Sequence, residues 1–140
     1  ESSAGYVNIE NIEWDIYDIV IDGNTEGYDI ASSNPYKPIN IPPNTNNEIT
    51  FNIAPHTSNS LLLTLIDSLN NPIFGADVNL TRAGFNQTKE TNVNGQVFFN
   101  NIYPSDDYTV NITLLEYSDS NYTNIEVSEQ SNFTAIINKQ

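Results

Sequence analysis

The chain contains no cysteine and no methionine, a single histidine, a single tryptophan and only four basic residues. Without cysteine there are no disulfides and no thiol chemistry, so stability has to come from packing and sheet hydrogen bonds. Without either sulfur residue little is open to oxidation, which suits an exposed life outside the cell. The 18 acidic residues against 4 basic ones leave a net charge of −14. That charge repels nucleic-acid phosphates and anionic lipid headgroups alike, so nucleic acid and the membrane surface are excluded as partners. No stretch approaches the about 18 consecutive apolar residues that a membrane span requires. Pure aliphatic runs reach only three residues, as in Leu61-Leu62-Leu63, which ends at Thr64. The chain opens on Glu1 rather than methionine, and an upstream segment removed by processing, such as a signal peptide, or by cloning is expected.

The scarcity of histidine also limits catalysis. His56 lies in the polar stretch Pro55–Ser60, which reads as a linker, and it reads as a solvated loop residue with no nucleophile beside it. Glu10, Glu13, Asp15 and Asp18 follow the polar side of a strand pattern rather than forming a glycosidase pair. Asp106, Asp107, Asp119 and Asn121 read as loop oxygens of the kind hard cations favour, but no EF-hand spacing supports a calcium site. No enzyme activity, metal or cofactor is expected.

What is abundant is β pattern. Ala76, Val78 and Leu80 alternate with Asp77, Asn79 and Thr81, as a half-buried strand requires. Asn94-Gly95 predicts a tight hairpin, because a type I′ turn needs positive φ at both central residues; Val97 and Phe99 then share a face on the return strand. Ser105-Asp106-Asp107 reads as a turn, followed by the period-two set Tyr108, Val110, Ile112 and Leu114. A last strand places Phe133, Ala135 and Ile137 on one face and Asn132, Thr134 and Ile136 on the other.

The order Pro-hydrophobic-x-Gly-Ala-x-Val-x-Leu (from Pro72), Thr-x-x-Asn-Gly-x-Val-x-Phe-x-x-Ile-x-Pro (from Thr91) and Tyr-x-Val (from Tyr108) resembles the carboxypeptidase-regulatory-like and collagen-adhesin B-type domains. These are small prealbumin-like β-sandwiches, and the resemblance covers about residues 60–138. It implies an immunoglobulin-like or prealbumin-like sandwich in a stalk, spacer, adhesin repeat or accessory module, without choosing among them. Many collagen-adhesin B-type repeats carry a Lys–Asn isopeptide bond with the lysine on the first strand. Here that strand, Leu61 to Asp67, has no lysine, and Lys89 and Lys139 fall elsewhere, so no crosslink is expected.

Residues 1–59 form a strand-rich segment ahead of the sandwich at 60–140. From Gly5 to Ile21 the apolar parity shifts twice, from Val7 and Ile9 to Ile12, Trp14 and Ile16 and back to Ile19 and Ile21. Bends near Asn11 and near Tyr17-Asp18 are therefore expected. A strand from Glu48 to Ala54 should turn Ile49, Phe51 and Ile53 inward, while the four prolines between Asn34 and Asn44 predict an extended connection that is neither helix nor central strand. Three or four strands in so short a segment make a poor independent sandwich. Their partner is either the rest of the chain or a neighbouring subunit that accepts the ribbon along a sheet edge. In the second case Val7, Ile9, Ile12, Trp14 and Ile16 form the joint of a homopolymer. Trp14 shares parity with Ile12 and Ile16, which argues for burial; with Tyr6, Tyr17, Tyr28 and Tyr36 it could instead build a sugar-stacking platform.

Asparagine makes up about a sixth of the chain, a bias that an AT-rich genome also produces. Five triplets, at Asn79, Asn86, Asn111, Asn121 and Asn132, satisfy the N-glycosylation rule. Chance placement in this composition gives about four, so their number alone carries nothing. Asn79, Asn111 and Asn132 sit between inward-facing neighbours and should face solvent. The sum is a secreted or cell-surface, non-enzymatic all-β protein: a filament subunit joined by strand exchange, or a stalk or spacer. A carbohydrate-binding or adhesive accessory module is the alternative.

Overall fold

The computed structural model describes residues 5–140. In chain order the elements are β1 (Asp15–Tyr17), a single helical turn α1 (Gly23–Glu26), β2 (Tyr28–Asn34), β3 (Ile39–Ile41), β4 (Thr50–Pro55) and β5 (Ser60–Ile66). They continue as β6 (Asp77–Arg82), β7 (Phe85–Glu90), β8 (Gln96–Asn100), β9 (Ser105–Thr113), β10 (Ser120–Val127) and β11 (Ser131–Ile136). The fold is an all-β, immunoglobulin-like sandwich. One sheet runs β10-β9-β6-β7 and the other β11-β5-β8, with β11 parallel to β5 and the remaining pairs antiparallel.

The period-two pattern of the sequence becomes the core. Leu61, Leu63, Leu65, Val78, Leu80, Val97, Phe99, Tyr108, Val110, Ile112, Ala135 and Ile137 are buried between the two sheets. Each large aliphatic side chain buried this way contributes about 1.5–3 kcal/mol relative to exposure. β5 is buried on both faces, which is why its sequence, Ser-Leu-Leu-Leu-Thr-Leu-Ile, does not alternate. Its second face is covered by part of the N-terminal segment: β2 pairs with β4 and packs over β5 and β8. Ile30, Lys37, Leu62 and Phe98 line the cleft between them.

Several expectations need correction. Asn94-Gly95 does not close a hairpin, because β7 pairs with β6 while β8 pairs with β5 in the opposite sheet. The turn carries the chain across the sandwich, and the tight hairpin is Ala83-Gly84, between β6 and β7. β7 escaped notice because Phe85 is its only apolar residue, as befits a half-covered edge strand. β10 escaped because its alternation breaks at a register shift between Tyr122 and Ile125, where Asn124 has φ 58°. Ser105-Asp106-Asp107 opens β9 rather than forming a turn. The proline-rich connection contains β3, a short strand paired with β1 and therefore not a central one, so its prolines cost no interior ladder bonds.

In the N-terminal segment the backbone does bend at Asn11, with φ 60°. Only β1 forms a strand between Gly5 and Ile21, and the burial inferred for Trp14 is wrong: it is 71% exposed. Parity predicts burial only where a second layer exists, and none of the described residues forms one over Trp14. Ile53 is likewise 49% exposed, because β2 rather than β4 faces the sandwich.

Candidate interaction surfaces

Among the described residues no group of three or more His, Asp and Glu converges to hold a metal ion. Asp106, Asp107 and Asn121, read from the sequence as loop ligands, lie on strands, Asn121 opposite Asn111 and the two aspartates at a register shift between β9 and β10. The histidine is not a solvated loop residue. His56 Nδ1 lies 2.7 Å from Oδ1 of the fully buried Asp29, whose other oxygen accepts the Thr57 backbone N–H at 3.0 Å. Gly23 is the floor of this pocket, since a Cβ there would stand 2.2 Å from His56 Nδ1. The pair fastens the linker after β4 to the start of β2. No sequence signal could have found it, because the partners are 27 residues apart.

Two further side chains stitch the open sides of the sandwich. Lys89 of β7 donates to the Phe98 carbonyl of β8 at 2.6 Å and lies 5.3 Å from the centre of the Phe99 ring. Its partial burial pulls the ammonium below its usual pKa. On the other side the Tyr122 hydroxyl of β10 donates to the Ile136 carbonyl at 2.7 Å and accepts the Ile136 N–H at 3.0 Å. One side chain therefore satisfies both polar groups of an edge residue of β11, blunting that edge.

The residues named as a joint come together on one exposed ribbon. Val7 is 80% exposed, Ile9 70% and Ile16 62%, with Ile12 less open at 43%. From residue 5 to residue 14 the backbone enters no sheet. A run of apolar side chains left this open in a chain of 140 residues is unusual, because nothing offsets the cost of wetting it unless it is covered by something else. Trp14 lines a shallow cleft with Glu13 and Asp15. The other aromatics of the supposed platform do not gather there as a set: the Tyr17 hydroxyl donates to the Glu13 carbonyl nearby, while that of Tyr36 donates to the Asn70 carbonyl beyond β5.

The five acceptor triplets divide in two. Asn79, Asn86, Asn111 and Asn121 stand on β6, β7, β9 and β10, the four strands of one sheet, and Asn132 stands on β11 of the other. Asn121 faces Asn111 and Asn111 faces Asn79 in the ladder, and Asn79 pairs onward with Thr88. The side chains bond across strands, Asn79 Nδ2 donating to Asn86 Oδ1 and to Thr88 Oγ1 at 2.8 Å each, and Asn121 Nδ2 donating to Asn111 Oδ1.

No protein-family model matches the sequence, and no curated protein matches it either. Among solved structures the chain is similar to the Bacillus anthracis TIE protein, at 16% identity and a TM-score of 0.49 over 66% of this chain and 20% of that one. It is also similar to a chain of a type II cohesin–X-dockerin complex from Acetivibrio cellulolyticus, at 19% identity and a TM-score of 0.44 over 56% of each chain. A streptococcal ancillary pilin aligns at 16% identity and a TM-score of 0.43, over 59% of this chain and 33% of that one. The chain thus spans between a fifth and just over half of the structures it resembles.

Proposed function

We propose that this chain is a non-enzymatic, extracellular structural subunit that self-associates through its N-terminal ribbon. Residues 60–140 form the subunit's sandwich, and the described part of the segment ahead of them folds onto it, with the stretch before β1 reaching toward a second copy. The observation that carries this reading is the ribbon itself: Val7, Ile9, Trp14 and Ile16 are exposed, and the backbone of residues 5–14 enters no sheet. An apolar segment whose backbone lies outside any sheet is suited to adding a strand to a neighbour's sheet, the backbone supplying affinity and the alternate side chains supplying specificity. The sulfur-free composition agrees with a long exposed life, and the carboxylate-rich surface keeps unassembled subunits soluble.

Negative-stain electron microscopy and analytical ultracentrifugation of the chain test the reading. Filaments or higher oligomers that vanish in Ile12→Asp or Trp14→Asp, with an unchanged circular dichroism spectrum, are the expected result. A chain that stays monomeric at millimolar concentration, or variants that assemble as well as the parent, would overturn it.

A second reading rests on Trp14 alone. An exposed indole flanked by Glu13 and Asp15 is the arrangement that stacks on a sugar ring and bonds its hydroxyls. The single tryptophan makes the distinction direct. A fluorescence shift that follows added neutral polysaccharide, and not protein concentration, would favour a carbohydrate-binding accessory module.

A further inference from the structure

The outer face of the β10-β9-β6-β7 sheet plays no part in the self-assembly reading. A strand sends residues i and i+2 to the same side, so an Asn-x-Thr triplet on a strand presents its asparagine and its threonine together. Four such triplets on four adjacent strands line this face with amides and hydroxyls. They are Asn79 with Thr81, Asn86 with Thr88, Asn111 with Thr113, and Asn121 with Thr123.

Spacing limits how many can be modified. Adjacent strands are about 4.8 Å apart. That is narrower than a hydrated pyranose, so asparagines directly opposite one another cannot both bear one. Asn121, Asn111 and Asn79 are opposite in sequence, and Asn79 touches Asn86. Two acceptors on non-adjacent strands fit, as Asn86 with Asn111, Asn86 with Asn121 or Asn79 with Asn121, and only in the first pair are both Nδ2 groups free of the cross-strand bonds.

The hydrogen bonds choose between these sets. An N-linked sugar replaces one of the two hydrogens on Nδ2. Asn79 uses that nitrogen for two bonds and Asn121 for one, whereas Asn86 and Asn111 take part in these bonds through their oxygens. A sugar on Asn86 or Asn111 therefore leaves the ladder intact, and a sugar on Asn79 breaks it. Asn132 commits its Nδ2 to the Gln130 carbonyl and borders the cleft under the N-terminal segment.

We propose that Asn86 and Asn111 are N-glycosylated and that Asn79, Asn121 and Asn132 remain free amides. The transfer forms a bond from Nδ2 to the anomeric carbon of a polyprenyl-diphosphate-linked oligosaccharide. The anomeric C–O bond breaks, the lipid diphosphate leaves, and Nδ2 gives up one proton to the transferase. The resulting sugars stand on the sheet opposite the one on which β2 packs.

Intact mass and peptide mapping of the protein purified from its native host test this independently of assembly. Cleavage after Arg82 and Lys89 puts Asn79 and Asn86 on separate peptides, and cleavage after Glu116 and Glu126 separates Asn111, Asn121 and Asn132. Two oligosaccharide masses are expected, on the Asn86 and Asn111 peptides. Asn86→Gln and Asn111→Gln should each remove one, and Asn79→Gln neither. A bare polypeptide mass, or any other distribution of sugar among the five, overturns the proposal.

Discussion

The buried Oε1 of Gln96 accepts the backbone N–H of Ser33 at 2.7 Å, while Nε2 of the same amide donates to Thr64 Oγ1 at 3.1 Å. This one side chain joins β2 to two strands of the sandwich. Replacing it by leucine keeps the volume and strands a buried donor, which costs about 1–3 kcal/mol. Gln96→Leu should therefore lower the denaturant midpoint and speed hydrogen exchange at Ser33 and its neighbours in β2. Unchanged exchange there would show that β2 is held without this bond.

Asp67 organises the turn after β5. Its Oδ1 accepts the N–H groups of Leu69 and Asn71, and its Oδ2 accepts from the Asn71 side chain. The Asn71 side-chain amide, aided by these backbone donors and opposed by slight desolvation, holds the carboxyl below its ordinary value of 3.8. A depressed folded-state pKa means that the unfolded chain binds the proton more readily, so this contribution is complete above about 3.8 and lost as pH falls through the folded value. Asp67→Ala should flatten the acid limb of the stability–pH curve and leave its slope near neutrality unchanged, as urea titrations at stepped pH would record.

Gly95 has φ 69°, and a Cβ on it would stand 2.5 Å from the Leu65 carbonyl and 2.8 Å from the Ile73 nitrogen. Both are backbone atoms of the ladder's end, so neither can yield cheaply. Gly95→Ala should cost more than the about 1–3 kcal/mol of a strained backbone alone. A melting temperature equal to the parent's would show that the crossing turn relaxes more freely than this contact suggests.

Trp14 and Leu63 make a matched contrast. Trp14→Ala removes a large but exposed side chain and should change stability by no more than about 0.5 kcal/mol. Leu63→Ala opens a cavity in the centre of the core and should cost about 2–5 kcal/mol. If the ribbon is the joint, only the first should abolish assembly. A large loss of monomer stability in Trp14→Ala would mean that the indole is covered by its own chain.

Strands whose partners lie in a second layer were legible from sequence. Val78 and Leu80 of β6, Tyr108, Val110 and Ile112 of β9, and Ala135 and Ile137 at the C-terminal strand all take the predicted faces. What escaped was whatever depended on a partner distant in sequence. Asn94-Gly95 signals a turn, and Gly95 alone of the two takes positive φ, but a turn residue cannot say whether its two strands pair with each other or with different sheets. Leu61 to Ile66 carries no alternation from which the covering of its second face by β2 could be read. The polar face that groups four acceptor asparagines required knowing that β7 and β10 exist. The ribbon was visible as an apolar pattern, yet the same pattern predicts burial and exposure equally until the rest of the chain is placed.

The parallel pairing of β5 with β11 extends from Ser131 opposite Leu61 to Ile136 opposite Ile66. Tension that reaches the sandwich at the leading end of β5 and leaves at the trailing end of β11 pulls these two strands past one another along their length. Their rungs then bear the force together in shear instead of parting one by one as in a peeled hairpin. Rupture along that line needs those rungs to yield together, so this pairing resists a lengthwise pull better than a peeled one would.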